Sequence, residues 1–407
     1  MFVYKNSFLQ KVIKKIGNWL IFPFKYVRNL CFRNFLLKQL ICSVSDINNP
    51  VYIFQYQYYD LDGKNCFNGG AERYVKDLAE ILSLRGYTPV LIQAASKHNK
   101  FWCKKMDKLL VIGIFADFYY KFLNKLPNPV FAIYSGLFYW GKKNFHPNVI
   151  ISHGVTWDEP MCDINLKKIF NEVLKDADYL VSVDTNTISQ FRTFLKKEIK
   201  QTGLKFSYIP NYVDTQVFFP IRRNEHRTKI LFPRRCSQER GFFLITDILS
   251  EILDKYDFVD FTFAGYLHTD KSVMIMEKLK KTYPERINHL CVSPDDMHLL
   301  YKNSDISIIP TLYSEGTSLS CLEAMACANC VIATNIGGLP NLIFNNFNGL
   351  LINPAKEDLL NALDNIIKDT NLRMTIQYNA VKVAAVFDKK MWIQNWEKLL
   401  IELERKL

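Results

Sequence analysis

From residue 51 onward the chain alternates short apolar runs with stretches whose apolar positions recur every three to four residues. The run at 51–56 follows Asn48-Asn49-Pro50 and predicts a first strand, after which a polar loop extends to Gly70. At 71–85 the residues Val75, Leu78, Ala79 and Leu82 share one face of a 3.6-residue repeat, which predicts a helix that Gly86 ends. Apolar runs at 89–93, 111–114, 130–134, 149–152, 178–182 and 208–209 continue a β-α-β alternation. The pattern breaks at 213–220 and starts again at 229–232, with further strands expected at 261–264, 306–309, 331–333 and 349–352. A final amphipathic helix is expected at 390–406. The fold class is therefore α/β, with two Rossmann-like doubly wound domains facing an interdomain cleft. The limits expected are 1–47 for an N-terminal extension, 48–216 for the first domain, 217–386 for the second and 387–407 for the closing helix.

Composition agrees with two globular domains. A chain of 407 residues exceeds one ordinary core, and 49% hydrophobic with 23% charged residues is not a disordered composition. Aromatic residues make up 14%, enough to predict large aromatic cores. Ten cysteines are scattered with no secretory leader before them, which predicts a reducing compartment. The one close pair, Cys327 and Cys330, has no second pair or histidine at ligand spacing, so both are expected in the core and no metal site is expected.

Charge changes the picture at the N-terminus. The net charge is +12, and residues 1–45 carry eight lysines and arginines with no Asp or Glu. Phe8, Leu9, Val12, Ile13, Ile16, Trp19, Leu20 and Phe24 run through that stretch at helical spacing. Its longest apolar run, 19–24, contains Pro23 and falls far short of the roughly 20 residues a bilayer span needs. Two readings stay open: a basic helix lying on an anionic membrane surface, or an extension packed on the first domain. No nucleic-acid-binding motif accompanies the basic stretch. Neither a G-x-G-x-x-G after the first strand nor a G-x-x-x-x-G-K-[ST] run is present, which speaks against a dehydrogenase and a P-loop ATPase.

The candidate chemistry concentrates at 313–326, YSEGTSLSCLEAMA, between the strand stopped by Pro310 and a helix beginning near Leu319. A glycine-bearing strand-to-helix turn presents backbone N–H groups and the positive end of a helix dipole, the usual phosphate cradle of α/β proteins. Glu315 and Glu323 flank it, placed to grip sugar hydroxyls on either side of a phosphate, so the segment suggests a nucleotide sugar. Paired carboxylates also suit a double-displacement glycosidase. Gly69-Gly70 precedes a helix and lets backbone approach a ligand closely, and His153 follows a strand at the end where α/β proteins bind ligands. Asp60-Leu61-Asp62 has the form of a metal-binding DxD, but its place upstream of Gly69 predicts a solvated loop.

The segment resembles the E-x7-E signature of retaining glycosyltransferases of family 4, which have the GT-B fold. Four further stretches resemble that family in order, across roughly residues 50–400. Asn68-Gly69-Gly70-Ala71-Glu72 is similar to its N-terminal glycine loop, and Ile209-Pro210-Asn211-Tyr212-Val213-Asp214 to its IPNGVD segment. The run from Arg234 to Gly241 is similar to GRLxxEKG, with Arg234 where the family has Gly and Arg240 where it has Lys. Gly337-Gly338-Leu339-Pro340 is similar to GGxPE, with Asn341 in place of Glu.

The resemblance implies the following roles. Glu315, His153, Arg235 and Arg240 would be the catalytic group, with the arginines absorbing charge on the leaving diphosphate without a metal. Glu323 would accept hydrogen bonds from the ribose, and Gly69, Gly70, Gly316, Thr317, Ser318 and Leu319 would complete the nucleotide-sugar site. One carboxylate on the ribose leaves none for a second glycosidase group. A uridine donor is expected ahead of a guanosine one. The basic amphipathic N-terminus, rather than the resemblance, suggests a lipid-linked saccharide or surface-polysaccharide precursor as acceptor and a cytoplasmic protein, peripheral on the inner face of the plasma membrane. Two other readings of the fold stand beside this one: a nucleotide-sugar epimerase or hydrolase, and an inactive glycan-binding scaffold. Deleting residues 1–45 is expected to release the protein from anionic vesicles in a co-sedimentation assay, and unchanged binding would overturn the membrane reading.

Overall fold

The computed structural model describes residues 35–67, 69–137, 144–154, 166–194, 199, 203–222, 226–313, 315–405 and 407. Residues 1–34 of the basic segment, Asn68 of the glycine loop and Ser314 lie outside the described residues. Two compact units result: one takes in 35–67, 82–131 and 144–145 of these, the other 69–81, 132–137 and those from 146 onward.

In the first unit a helix, α1 (residues 35–45), buries Leu37, Leu40 and Val44 at helical spacing. Strand β1 (Pro50–Phe54) leads toward α2 (Gly70–Leu84), and β2 (Thr88–Ala94), β3 (Phe101–Met106) and β4 (Leu109–Ile114) follow. The strands lie in the order β3-β4-β2-β1, with β1, β2 and β4 parallel and β3 antiparallel to β4. β3 falls where the sequence shows no pattern. Only Trp102 in it is buried, and Lys104 and Lys105 follow on this edge strand, so neither apolar periodicity marks it. Trp102 Nε1 donates to the Leu61 carbonyl at 3.1 Å. Its ring lies so close to Gly113 that a Cβ there would stand 2.0 Å away. Asp60 and Asp62 lie in the loop expected there, which is an ordered turn. Asp60 accepts from the backbone N–H groups of Lys64 at 2.7 Å and Asn65 at 3.0 Å, and Asp62 accepts from Ser96 Oγ at 2.5 Å. The helix α3 (Ala116–Leu123) follows β4.

The second unit holds two runs of parallel strands. β5 (Phe131–Ser135), β6 (Asn148–Ser152), β7 (Tyr179–Ser182) and β8 (Lys205–Tyr208) are neighbours in that order, with α4 (Leu166–Asp176) and α5 (Thr185–Phe194) between the later ones. β8 begins three residues before its expected start. The second run comprises β9 (Thr228–Phe232), α6 (Phe242–Lys255), β10 (Val259–Ala264), α7 (Asp270–Thr282), β11 (Ile287–Leu290), α8 (Met297–Lys302), β12 (Ile306–Ile309), α9 (Leu319–Ala326), β13 (Cys330–Thr334) and β14 (Leu350–Ile352). The helices α10 (Lys356–Lys368), α11 (Thr370–Val386) and α12 (Lys389–Glu404) close the chain.

These six strands are all parallel, in the order β11-β10-β9-β12-β13-β14. Chain order reverses between β9 and β12, and at such a switch point the loops leaving the strand ends diverge and open a crevice. Alternate residues feed two cores. Ile230, Phe232, Ile308 and Ile332 pack with Phe242, Ile245 and Leu363 on one face. Leu231, Ile309, Val331 and Ala333 pack with Leu322, Met325 and Ala380 on the other. Burial on both faces explains why these strands read as continuous apolar runs. Cys327 and Cys330 are both buried at the end of α9 and the start of β13.

Helix α12 is held against α2 by aromatic rings. Trp396 Nε1 donates to the Tyr74 hydroxyl at 2.9 Å, and the rings of Trp392 and Tyr74 meet edge to face at 5.0 Å. Tyr212 stacks beside Trp392 at 4.4 Å. Ile308, fully buried at the centre of β12, should lose about 2–5 kcal/mol on truncation to Ala, read as a lower urea midpoint.

Candidate active site

The crevice at the switch point is where the charged residues gather. Arg234, Arg235 and Arg240 follow β9, and Glu315 follows β12. Gly241 makes the first of these loops possible. Its φ is +77°, and a Cβ there would lie 2.0 Å from the Pro310 carbonyl oxygen, so only glycine lets the loop after β9 rest on the end of β12. The Leu312 N–H then donates to the Glu239 carbonyl at 3.0 Å, which binds the two loops together.

Glu315 is the centre of this cluster. Its side chain is buried, and Oε2 receives Arg234 Nη2 at 2.7 Å, Arg240 Nη1 at 2.7 Å and Thr311 Oγ1 at 3.0 Å. Arg234 also donates to Thr311 Oγ1 at 2.8 Å. Burial alone would push the carboxyl up, but Arg234 and then Arg240 outweigh it and hold Glu315 below the usual carboxylate range. Burial draws the Arg234 guanidinium down despite Glu315 beside it. Arg235 is on the exposed surface, and the structure does not bring it to Glu315. Arg234, which stands where the resemblance has glycine, makes the buried pair with Glu315, and Thr311 is a further partner that no spacing marked.

Residues 316–318 are fitted by backbone contacts on two sides. The Gly338 N–H donates to the Glu315 carbonyl at 2.8 Å, and a Cβ on Gly337 would stand 2.2 Å from that oxygen. On the opposite side a Cβ on Gly316 would lie 2.5 Å from the His153 carbonyl. Thr317 Oγ1 donates to the Val183 carbonyl, and Asn211 Nδ2 donates to the Thr317 carbonyl at 2.6 Å. The Thr317 side chain is thus committed to β7, while Ser318 caps α9 and Leu319 begins it. Asn341 accepts from the Thr185 N–H at 3.1 Å and donates to Thr185 Oγ1 at 2.9 Å, a two-way pairing that a carboxylate at 341 could not make.

His153 closes the other side. Its Nε2 lies 2.9 Å from Ser135 Oγ, and its ring meets Tyr74 edge to face at 5.2 Å. Burial pulls its pKa down to about 4, so the ring is neutral at pH 7. Gly69 precedes α2 and Gly70 starts it, and a Cβ on Gly70 would stand 3.0 Å from Leu319 Cδ1, so the glycine loop reaches the start of α9. Glu323, on α9, is buried and pairs with Arg73 Nη1 at 2.9 Å. Arg73 is a residue that sequence reasoning passed over. Among the described residues no group of three or more His, Cys, Asp or Glu is placed to hold a metal ion, and no helix is long and apolar enough to cross a membrane.

Residues 213–383 match the family model of glycosyl transferases group 1. The likeness covers that segment, less than half of the chain. The N,N'-diacetylbacillosaminyl-diphospho-undecaprenol alpha-1,3-N-acetylgalactosaminyltransferase of Campylobacter jejuni is 24% identical over 244 residues, 58% of this chain and 63% of its own length. The chain spans 63%, 41% and 26% of the lengths of three curated relatives it matches. Among solved structures, sucrose-phosphate synthase from Thermosynechococcus elongatus superposes with a TM-score of 0.68 at 17% identity, covering 88% of this chain and 100% of that one. Anabaena HepE in complex with UDP-glucose superposes with a TM-score of 0.65 at 16% identity, covering 87% of this chain and 99% of that one. These likenesses show the fold, which is GT-B: α/β with two domains.

The depressed pKa of His153 makes a signed prediction. Its contribution to stability is complete above pH 6.5, the ordinary value, and is lost as pH falls toward about 4, because the unfolded chain takes up the proton first. Going from pH 7 to pH 4, the wild type should lose roughly 3 kcal/mol more than His153→Gln in urea titrations, given about 1.4 kcal/mol per pKa unit.

Proposed function

We propose that this protein is a retaining glycosyltransferase that moves a sugar from a nucleotide donor, without a metal ion, to a lipid-linked saccharide or surface-polysaccharide precursor. The observation that carries this reading is the cluster at the β9/β12 switch point. There two guanidiniums and Thr311 converge on one oxygen of Glu315, immediately before the Gly316–Leu319 turn into α9. Arg240, a quarter exposed, keeps further N–H donors for a diphosphate, and the start of α9 adds its dipole. Arg234 sets the orientation of Glu315 from behind. Arg235 is then a surface cation at the rim rather than a direct phosphate ligand.

In the proposed step the bond between the anomeric carbon and the diphosphate oxygen breaks, and its electron pair passes to the diphosphate. Arg240 and the backbone donors stabilise that charge as it forms. The acceptor hydroxyl attacks from the face the diphosphate is leaving, so configuration is retained, and its proton passes to a diphosphate oxygen. Glu315 stays ionised and accepts hydrogen bonds from the donor sugar. Neutral His153, fixed by Ser135, accepts or donates at the sugar without adding a charge that would oppose the oxocarbenium-like carbon. Glu323 takes the ribose hydroxyls. A uridine donor is favoured by the likeness to HepE, whose complex holds UDP-glucose. A polyprenyl-linked acceptor is favoured by the Campylobacter relative, whose name carries diphospho-undecaprenol. Such an acceptor agrees with a position on the inner face of the plasma membrane.

Thermal denaturation with UDP, GDP and ADP tests the donor half. A ligand at about 100 times its Kd should add about 2.7 kcal/mol to stability, and Glu323→Ala should abolish the shift. Transfer to a diphospho-polyprenyl saccharide should persist in EDTA and give a product with the donor's anomeric configuration by NMR. Inversion, or activity lost to chelation and restored by a divalent cation, would overturn the mechanism. Product formed in water alone would favour the hydrolase.

A further inference from the structure

The ion pair between Arg73 and Glu323 links residues 250 positions apart and has no part in the step above. The Glu323 side chain is 5% exposed and that of Arg73 35% exposed, so one partner is enclosed and the other partly open to solvent. Arg73 Nη1 donates to Oε1 at 2.9 Å. The buried Tyr301 hydroxyl lies beside the same carboxylate. An enclosed carboxylate needs a partner for its charge. Arg73 supplies that counter-charge and leaves Oε2 as an acceptor.

The pair is also fixed in place. Gly70 lies against Leu319, so the first turns of α2 and α9 touch, and Arg73 and Glu323 each stand about one turn further along. On the next turn of α2, Asp77 accepts from the Tyr212 hydroxyl and pairs with Lys389 at 3.1 Å. Arg73 is therefore held from both ends of its helical stretch.

We propose that Arg73 is a positioning residue for nucleotide binding: by holding Oε1 of Glu323, it aims Oε2 at the ribose hydroxyls of the donor. This rests on the reading that Glu323 takes the ribose. It differs from a direct contact between Arg73 and the diphosphate, because an effect passed through Glu323 appears only when the ribose has hydroxyls to offer.

The test is calorimetric binding of UDP and 2',3'-dideoxy-UDP to the full chain, its Arg73→Gln, Arg73→Lys and Glu323→Gln variants, and the Arg73→Gln/Glu323→Gln double variant. Should the wild type prefer GDP, the guanosine pair replaces these probes. Hydrogen bonds to a charged group predict that the wild type favours the ribonucleotide by about 10- to 100-fold. Arg73→Gln should bring that ratio to within about threefold of one, Arg73→Lys should keep part of it, and the double variant should lose no more than Glu323→Gln alone. Far-UV circular dichroism checks folding of each variant. If Arg73→Gln weakens both nucleotides equally, its cation serves the diphosphate and the proposal fails. If it changes neither, the pair is a bystander and the proposal fails. A wild type that binds both analogues equally removes the ribose role of Glu323, and one that binds no nucleotide overturns the functional reading itself.

Discussion

A carboxylate cannot stay ionised inside a protein unless its charge is met there, and Glu315 meets that demand with two guanidiniums and a hydroxyl on one oxygen. This constraint organises the second unit around the switch point. Arg234 and Arg240 must leave β9 so that both reach one atom, which requires the loop after β9 to lie on the end of β12. The left-handed Gly241 against Pro310 is the local solution. Removing Glu315 would leave the buried Arg234 guanidinium without its carboxylate, the costliest loss the cluster could suffer.

Around that charged centre the fit is made by backbone rather than by side chains. Glycines at 316, 337 and 338 let three chain segments meet at distances where a single methyl group would collide. Thr317, Asn211, Asn341 and Thr185 then tie the same turn to β7 and α5 through hydrogen bonds. Such a site is already arranged before a ligand arrives, which is what electrostatic stabilisation of a short-lived charge requires. The neutral Asn341 suits the tie because it donates and accepts at once.

Most of the parallel strands were legible because burial on both faces leaves them as unbroken apolar runs, as at Ile306–Ile309; β11, with one buried side chain, is an exception. The edge strand β3 was not, since Phe101–Met106 carries one buried side chain and two lysines. The site was legible where a motif encodes backbone geometry: Glu315, Glu323, Gly70 and Gly316 all lie in it. It was obscure where the partner is set by packing across long separations. Arg234 and Arg235 are adjacent and chemically identical, and only the direction in which the loop leaves β9 decides which reaches Glu315. Arg73 gave no local sign of its carboxylate, because its partner lies 250 residues away. The DxD-like run was legible as a loop, since short acidic stretches also make good turns, as Asp60 does here.

The aromatic seam has a consequence for how the protein is made. His153 rests on Tyr74, and Tyr74 rests on Trp392 and Trp396 of α12. A nascent chain that has emerged only to residue 385 therefore carries both candidate carboxylates, every arginine of the cluster and the histidine, yet lacks the wall behind that histidine. On this packing, the wall behind that histidine is complete only once α12 is in place. Until then Tyr74 is an uncovered aromatic side chain of the kind chaperones bind.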